Sequence, residues 1–182
     1  QPLQSFISDA YFCLIRHFQR LGWLIPYLFG ASPAVCASFL RDERPPGFAS
    51  YDPGTYYKPY ATSLRMSDIG YKNNTQANLE ITYDNLAGYV TSLTRAIETP
   101  YPAFDEIGVL VNGEYRQLNT NILQIENEYY SFIRPKQIAH SGEKPTLALK
   151  RRGVQYVEIR ALDVDVFDPL GVSDGQRRFL EV

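Results

Sequence analysis

The segment YVEIRALD, from Tyr156 to Asp163, restricts the fold more than any other part of the sequence. Its apolar and polar residues alternate, and a period of two is typical of a β-strand with one face against a core. On such a strand Glu158 and Arg160 lie side by side on the polar face. A chain that contains this strand has to build a sheet around it, and the sheet presents an acid next to a base.

The pairing of Glu158 with Arg160 allows two interpretations. Carboxylate oxygens bind hard cations such as Mg²⁺, and the planar guanidinium group binds phosphate through two N–H groups. The two residues on one strand would therefore suit a site that holds a metal ion together with phosphate oxygens. They would equally form an ordinary ion pair on a solvent-facing strand, which is the commoner arrangement. The pattern alone leaves both open.

The composition is typical of a globular protein, with 182 residues of which 45% are hydrophobic and 21% charged. The net charge is −2, and the lysines and arginines are scattered, so a nucleic-acid partner is not expected. Cys13 and Cys36 are too few and too far apart for a zinc module. Without a recognisable secretory signal, we expect free thiols in a reducing compartment, the cytoplasm.

The uncharged stretch from Leu21 to Leu40 is long enough, at about 20 residues, to cross a bilayer as a helix. Pro26, Gly30 and Pro33 interrupt it, and Gly-Ala-Ser-Pro at 30–33 is typical of a helix end, a turn and a new helix start. We therefore expect two short buried helices that belong to the core, and no membrane association.

Helical spacing and end signals predict helices elsewhere. They run from a Ser8–Asp9 cap to Leu21, from Asn85 to Glu98, from Lys144 to Arg151 before Gly153, and onwards from Ser173-Asp174. The last pattern stops at Val182 after about two turns, when its apolar face has only begun. We therefore expect residues 1–182 to be part of a single catalytic domain of a longer protein, truncated at both ends.

The remaining signals indicate extended structure and turns. Asn112-Gly113 between extended flanks predicts a tight hairpin over 109–118. Long strands are predicted at Ile122 to Ile133 and Val154 to Val166, and a long ordered loop at Asp42 to Tyr60. Neighbouring long strands joined by a short helix predict an α+β fold with a largely antiparallel sheet and flanking helices.

Four segments resemble the proteobacterial type of glutamate–cysteine ligase, also called γ-glutamylcysteine synthetase. They are Trp23 to Phe39 (WLIPYLFGASPAVCASF), Tyr60 to Tyr71 (YATSLRMSDIGY), Gln124 to Lys136 (QIENEYYSFIRPK) and Tyr156 to Asp163 (YVEIRALD). The likeness continues from near residue 8 to the C-terminus. It implies a glutamine synthetase-like catalytic core, of which this chain would be an internal fragment that lacks further metal-binding carboxylates and a histidine.

The resemblance implies an ATP-dependent ligase with the small-molecule substrates ATP, L-glutamate and L-cysteine. In that family ATP phosphorylates the γ-carboxylate of glutamate, and the amine of cysteine attacks the resulting γ-glutamyl phosphate, in the first step of glutathione biosynthesis. The implied metal is Mg²⁺, with Mn²⁺ as an alternative. Since the sequence contains no Gly-rich phosphate loop, the nucleotide would be held by the sheet and by metal ions. The isolated 182-residue chain would be inactive.

Individual residues match family positions. Glu158 matches a magnesium-binding glutamate, and Arg160 matches the arginine that faces the transferred phosphoryl group. Arg65 matches an arginine that binds a substrate carboxylate, while Tyr71 and Tyr130 match tyrosines of the cysteine pocket. Without the resemblance, Arg65 would be interpreted as the partner of Asp68 in a surface ion pair.

Other carboxylates are not expected to be functional. If the strand at 122–133 alternates, Glu126 and Glu128 share a face with Tyr130, but paired glutamates on strands are more often solvated. Asp163, Asp165 and Asp168 are not expected to bind calcium, because their spacing lacks the glycine and the final glutamate of a calcium loop. Asp165 and Asp168 are interpreted as turn residues before Pro169.

Two other classes of function stay open beside the ligase. One is a related carboxylate–amine ligase, or a guanidino-kinase-like enzyme, with the same sheet and another acceptor. The other is a binding or membrane-associated module built around 21–40. The oligomeric state and any feedback inhibition do not follow from the sequence.

Overall fold

The computed structural model describes residues 1–40, 44–67, 69–70 and 79–182. The chain forms two compact units. The first consists of Gln1–Arg20 and Asn73–Arg160, and the second of Leu21–Lys72 and Ala161–Val182.

Helices and short antiparallel strands make up the described secondary structure. The helices are α1 (Leu3–Leu21), α2 (Leu24–Phe29), α3 (Leu86–Glu98), α4 (Pro102–Ile107), α5 (Pro145–Arg152) and α6 (Asp174–Glu181). The strands are β1 (Ala34–Cys36), β2 (Ala49–Asp52), β3 (Thr55–Tyr57), β4 (Leu110–Val111), β5 (Glu114–Tyr115), β6 (Ile133–Lys136) and β7 (Tyr156–Ile159). They pair antiparallel in the orders β1-β3-β2, β4-β5 and β6-β7. The expected α+β class with antiparallel pairing is confirmed.

The core of the first unit lies where α1, α3 and α5 meet the β6–β7 ladder. Its buried side chains include Phe12, Ile15, Tyr89, Leu93, Leu123, Ile133, Leu149 and Val154. Val157 and Ile159 of β7 pack against this cluster, so one face of β7 is apolar as the alternation predicts. The opposite face of the strand is therefore available for polar side chains.

Side chains of α1 hold the backbone just before β7. Gln4 Nε2 donates to the carbonyl of Val154 at 3.0 Å, and Ser8 Oγ accepts from the N–H of Val154 at 3.0 Å. Gly153 has φ +74°, and a Cβ there would lie 2.7 Å from Ser8 Oγ. The prediction that Ser8 caps the first helix is therefore wrong: the helix begins at Leu3, and Ser8 is buried inside it.

The helices and turns with strong local signals are where the sequence predicts them. Asn85 caps α3 by accepting from Gly88 N at 2.9 Å. The hairpin β4–β5 turns at Asn112 and Gly113, with φ of 53° and 82°, as a tight primed turn requires. Pro145 opens α5, and Ser173 forms a capping box with Gln176 at the start of α6.

The two long strands of the sequence analysis are wrong in extent. Residues Glu126–Glu128 form a 3-10 helix instead of continuing a strand. The reason is competition for the backbone, because the carboxylate of Glu128 accepts from Gln124 N at 2.6 Å and that of Glu126 binds Thr146. At the C-terminal side, regular pairing of β7 covers only Tyr156–Ile159.

The second unit corrects the interpretation of 21–40 as two buried helices. Only α2 forms as expected, and β1 with a 3-10 helix at Ala37–Leu40 replaces the second helix. The backbone of β1 pairs with β3, which satisfies the N–H and C=O groups that a helix would have used. Ile25 is buried, but Trp23 and Phe39 are exposed, so assigning the whole stretch to the core was also wrong.

The predicted long loop at 42–60 is wrong as well. Its described part carries the hairpin β2–β3, whereas Asp42 lies outside the described residues. Among the residues described, none of the helices combines the length and the apolar character needed to cross a membrane.

Candidate active site

The β6–β7 ladder of the first unit carries the two residues that the sequence singles out. Its register places Arg134 opposite Glu158 and Lys136 opposite Tyr156. A further backbone bond, from Arg160 N to Phe132 O at 2.8 Å, extends the ladder by one step. Glu158 and Arg160 therefore project from a paired backbone that is fixed on its other face by the core.

The carboxylate of Glu158 lies between two cations. Its Oε1 is 3.9 Å from Arg160 Nε, and its Oε2 is 3.3 Å from Lys136 Nζ. The prediction that Glu158 and Arg160 share one face is confirmed by this contact. Oε2 is itself buried, and the contact with Lys136 is an ion pair without hydrogen-bond geometry.

Positive charge exceeds negative charge along this part of the ladder. Burial lowers the pKa of Lys136, and the nearby positive charge of Arg134 lowers it further, while Glu158 opposes the shift. Arg134 is buried, and its Nε has no hydrogen-bond partner among the residues that the structure describes. One carboxylate among three cationic residues is an arrangement that favours anions such as phosphate oxygens.

Tyr130 contacts Arg160 directly. The guanidinium carbon lies 4.9 Å from the centre of the Tyr130 ring, and Tyr130 Oη donates to the carbonyl of Arg160 at 3.4 Å. A cation over an aromatic face is stabilised by about 0.5–1 kcal/mol at partly exposed sites. The structure thus brings together Tyr130, Arg160 and Glu158, three of the residues predicted for the site.

Arg65 belongs to the second unit and has its own surroundings. Its Nη1 donates to the carbonyl of Leu162 at 2.9 Å and lies 3.9 Å from Asp163 Oδ1. Asp68, the alternative partner, lies outside the described residues. The side chain of Arg65 is about two-thirds covered, so it is held by its neighbours and does not extend into solvent.

A cavity of about 450 Å³ opens beside Arg65. Among the described residues its walls are mostly apolar and include Val35, Phe39 and Leu64, and Arg65 is the charged residue of that lining. A pocket with one guanidinium and apolar walls suits a small molecule that has a carboxylate and a short, weakly polar side chain. Tyr71, the other residue predicted for substrate binding, lies outside the described residues.

Two glutamates that we did not assign to the site have structural partners. The carboxylate of Glu126 is buried and accepts from Thr146 N at 2.7 Å and Thr146 Oγ1 at 2.6 Å, which caps the start of α5. Glu128 holds the backbone of Gln124. Both carboxylates therefore stabilise the local fold.

The sequence analysis missed two residues that lie beside predicted site residues: Lys136 beside Glu158 in the first unit, and Asp163 beside Arg65 in the second. Lys136 is recognisable only once the strand pairing is known. The side chain of Asp163, to which the sequence analysis gave no role, is buried and accepts hydrogen bonds from Ala31 N, Ser32 Oγ and Ser63 Oγ. The alternation contained a signal for this, because position 163 continues the apolar face of Val157 and Ile159, where a carboxylate needs partners.

Among the described residues no group of three or more His, Cys, Asp or Glu side chains could hold a metal ion. Mg²⁺ is commonly bound by one or two carboxylates together with substrate phosphates and water. Glu158, with a buried oxygen that accepts no hydrogen bond, fits the role of a single carboxylate ligand in such a site.

Comparison with known proteins identifies the family to which the chain is similar. Residues 1–182 match the sequence profile of the glutamate–cysteine ligase family. The glutamate–cysteine ligases of Alcanivorax borkumensis and Shewanella amazonensis are 55% and 56% identical over 100% and 99% of this chain. The chain spans 35% and 34% of their length, about a third.

Solved structures give the same result. The crystal structure of the Francisella tularensis glutamate–cysteine ligase in complex with AMP superposes with a TM-score of 0.89 at 47% identity, covering 96% of this chain and 35% of that one. A bifunctional glutathione synthetase from Pasteurella multocida shares the fold, with a TM-score of 0.65 at 24% identity over 99% of this chain and 18% of that one. The chain therefore belongs to the glutamate–cysteine ligase family.

Proposed function

We propose that this chain is part of the catalytic domain of an ATP-dependent glutamate–cysteine ligase, which carries out the first step of glutathione biosynthesis. The observation that carries the proposal is the Glu158–Arg160 pair on the β6–β7 ladder, flanked by Lys136 and Tyr130. This is a rigid, positively charged surface with one carboxylate, and phosphoryl transfer from ATP requires both kinds of group.

The proposed reaction has two steps. An oxygen of the γ-carboxylate of L-glutamate attacks the γ-phosphorus of ATP, and ADP leaves, which forms γ-glutamyl phosphate. The amine of L-cysteine then attacks the carbonyl carbon, phosphate leaves, and the amine loses a proton. Both steps concentrate negative charge on oxygen atoms, and a guanidinium near those atoms lowers the barrier. Arg160 has this role in the proposal.

Glu158 would be a ligand for Mg²⁺, or for Mn²⁺ in its place. When bound, the metal would neutralise phosphate charge. Lys136 approaches the same carboxylate, so the ammonium group would have to move aside or share the oxygen atoms. The other metal ligands would come from parts of the full-length ligase that correspond to the remaining two-thirds of its relatives.

Arg65, Tyr71 and Tyr130 would bind the amino acids. The guanidinium of Arg65 at the edge of an apolar cavity suits the carboxylate of an amino acid, and a tyrosine can hydrogen-bond an amino acid while its ring shapes a small pocket for the thiol. Cys13 and Cys36 are exposed and are not joined to disulfides in the structure described, which is compatible with the cytoplasm, where we propose that the enzyme works.

The test is ADP release by a ligase of the relatives' full length that contains this sequence. We expect release to require both L-glutamate and L-cysteine and to yield γ-glutamylcysteine. Turnover with another amine but not with cysteine would support a different carboxylate–amine ligase, and no turnover with any amine would contradict the proposal. The 182-residue chain alone is expected to be inactive, because its described residues include no group of three or more side chains that could hold a metal ion and so help to position ATP.

A further inference from the structure

The carboxylate of Asp163 joins separate segments of the second unit. Its Oδ2 accepts from Ala31 N at 2.8 Å and from Ser32 Oγ at 2.7 Å. Its Oδ1 accepts from Ser63 Oγ at 3.0 Å. With only 5% of the residue exposed, these bonds are shielded from water, and losing one leaves a buried polar group without a partner.

The segments that Asp163 joins are also held to each other by their backbones. Ser32 N donates to Thr62 O at 3.2 Å, and Leu64 N donates to Ser32 O at 2.7 Å. At Gly30 a Cβ would lie 2.5 Å from Thr62 O, so the two stretches approach as closely as their backbones allow. Asp163 therefore holds together two chain segments, at residues 31–32 and 62–64, where their backbones are in contact. The second segment leads directly into Arg65.

Arg65 is oriented from the same place. Its Nη1 donates to the carbonyl of Leu162, the neighbour of Asp163, and lies 3.9 Å from Asp163 Oδ1. An arginine side chain loses rotamer entropy when it is fixed, and a pre-oriented guanidinium has already lost it before the ligand binds. A buried carboxylate beside Nη1 supplies this orientation and matches the charge.

We propose that Asp163 is a positioning residue that holds Arg65 in the direction needed to bind the carboxylate of an amino-acid substrate. This inference rests on the proposed role of Arg65. The inference goes beyond that role, because it makes the affinity for the amino acid depend in part on Asp163, which does not contact the amino acid itself.

The substitution Asp163→Asn separates orientation from packing, because it keeps the volume of the side chain. Its amide oxygen can replace Oδ2 and still accept from Ala31 and Ser32. The amide nitrogen then replaces Oδ1, so an N–H group faces the guanidinium of Arg65, which also has only donors. We expect the side chain of Arg65 to turn away from position 163, while the backbone hydrogen bonds between the two chain segments remain.

The experiment measures KM for both amino acids, kcat and Tm in the full-length ligase. Arg65→Ala is expected to raise one amino-acid KM about 10- to 100-fold, the scale of a lost charge-assisted hydrogen bond. Asp163→Asn is expected to raise the same KM about tenfold with kcat within about twofold. The double variant should match Arg65→Ala alone, since Asp163 acts through Arg65.

Several results would overturn the inference. KM effects that multiply in the double variant, or an unchanged KM in Asp163→Asn, would mean that Asp163 only stabilises the fold. An unchanged KM in Arg65→Ala would remove both residues from the pocket, while ligase activity of the parent protein would leave the proposed function intact. If the parent shows no ligase activity, the crystal structure of Asp163→Asn decides instead: a guanidinium displaced by less than about 1 Å would contradict the inference.

A second pair of variants covers the case in which Asp163→Asn does not fold. Ser63→Ala removes one bond to Oδ1 but leaves the charge, so the same KM should rise by a smaller factor. Ser50→Ala, in the exposed strand β2, is the matched control, because its hydroxyl bonds only within its own hairpin in the structure described. Equal KM values in Ser63→Ala and Ser50→Ala would count against the inference.

Discussion

The first unit contains two copies of the pattern Glu-x-Arg on short strands, and only one has the features of a site. In the β4–β5 hairpin, Glu114 Oε2 lies 3.1 Å from Arg116 Nη2, which is closer than the 3.9 Å between Glu158 and Arg160. The hairpin side chains are 71% and 51% exposed, whereas those of Glu158 and Arg160 are 39% and 30% exposed.

The difference shows that a short ion-pair distance does not mark a functional carboxylate. An exposed pair contributes about 0–1 kcal/mol to stability, because water screens it. Glu158 and Arg160 are instead partly shielded and have further partners, Lys136 on the carboxylate and Tyr130 on the guanidinium. A charged group is useful for binding phosphate when its surroundings hold it in place and keep part of the water away.

The largest expected effect is that of Glu158→Gln in the full-length ligase. The amide removes the charge that would bind Mg²⁺, so kcat should fall by about 100-fold or more, while Tm changes little because the side chain is partly exposed. Glu114→Gln is the matched control and should leave kcat unchanged. Near-normal turnover of Glu158→Gln at saturating Mg²⁺ would reject the metal role and make the two pairs equivalent.

The substitution Arg160→Lys tests the guanidinium in the same way. A point charge cannot reproduce a planar, two-pronged contact with phosphate oxygens, so formation of the acyl phosphate should slow by roughly tenfold or more. Rapid-quench measurement of the ATP-dependent burst reports this step directly. Arg116→Lys should leave the burst as it is, and a burst of normal size in Arg160→Lys would show that only charge matters at this position.

A third ion pair, between Glu143 and Arg152, extends the comparison to stability. Of the substitutions considered, its removal has the smallest expected effect. Hydrogen bonds from Arg152 and from the backbone of His140 lower the pKa of Glu143 to about 2. A lowered pKa means that the ionised form stabilises the fold, and this contribution is present above the ordinary value of 4.5 and is lost as the pH falls towards 2.

The substitution Glu143→Gln should therefore flatten the fall of unfolding free energy on acidification, measured by denaturant titration between about pH 5 and about pH 3. Glu114→Gln should keep the profile of the parent protein. An identical acid profile for Glu143→Gln would show that the ion pair adds nothing to stability.

Whether an element could be predicted from the sequence depends on how far apart its interacting residues lie along the chain. The cap at Asn85, the proline that opens α5 and the turn at Asn112-Gly113 act within a few residues, and the elements they predict are present. The 3-10 helix at Glu126–Glu128 depends on Thr146, and the buried Ser8 depends on Val154. Neither partner can be found from a local pattern.

The same distinction between local and long-range contacts applies to the residues of the candidate site. That Glu158 and Arg160 share a face follows from strand alternation alone, and the structure confirms their contact. That Lys136 lies close to Glu158 could be recognised only from the register of β6 on β7. The proposed role of Asp163 could be recognised only from the chain segments that its carboxylate joins. The proposed roles of Arg65, Tyr71 and Tyr130 came from the resemblance, because nothing in their spacing distinguishes them from the other arginines and tyrosines.

The bonds between α1 and Val154 have a consequence for the order of folding. Both polar groups of the Val154 backbone are satisfied by side chains 146 and 150 residues earlier in the chain. Such contacts form only after a very long loop has closed, which is slow because the entropy of the loop is lost before the contacts are gained. During synthesis on the ribosome, the bonds that fix α1 to the segment before β7 can therefore form only after residue 154 has emerged.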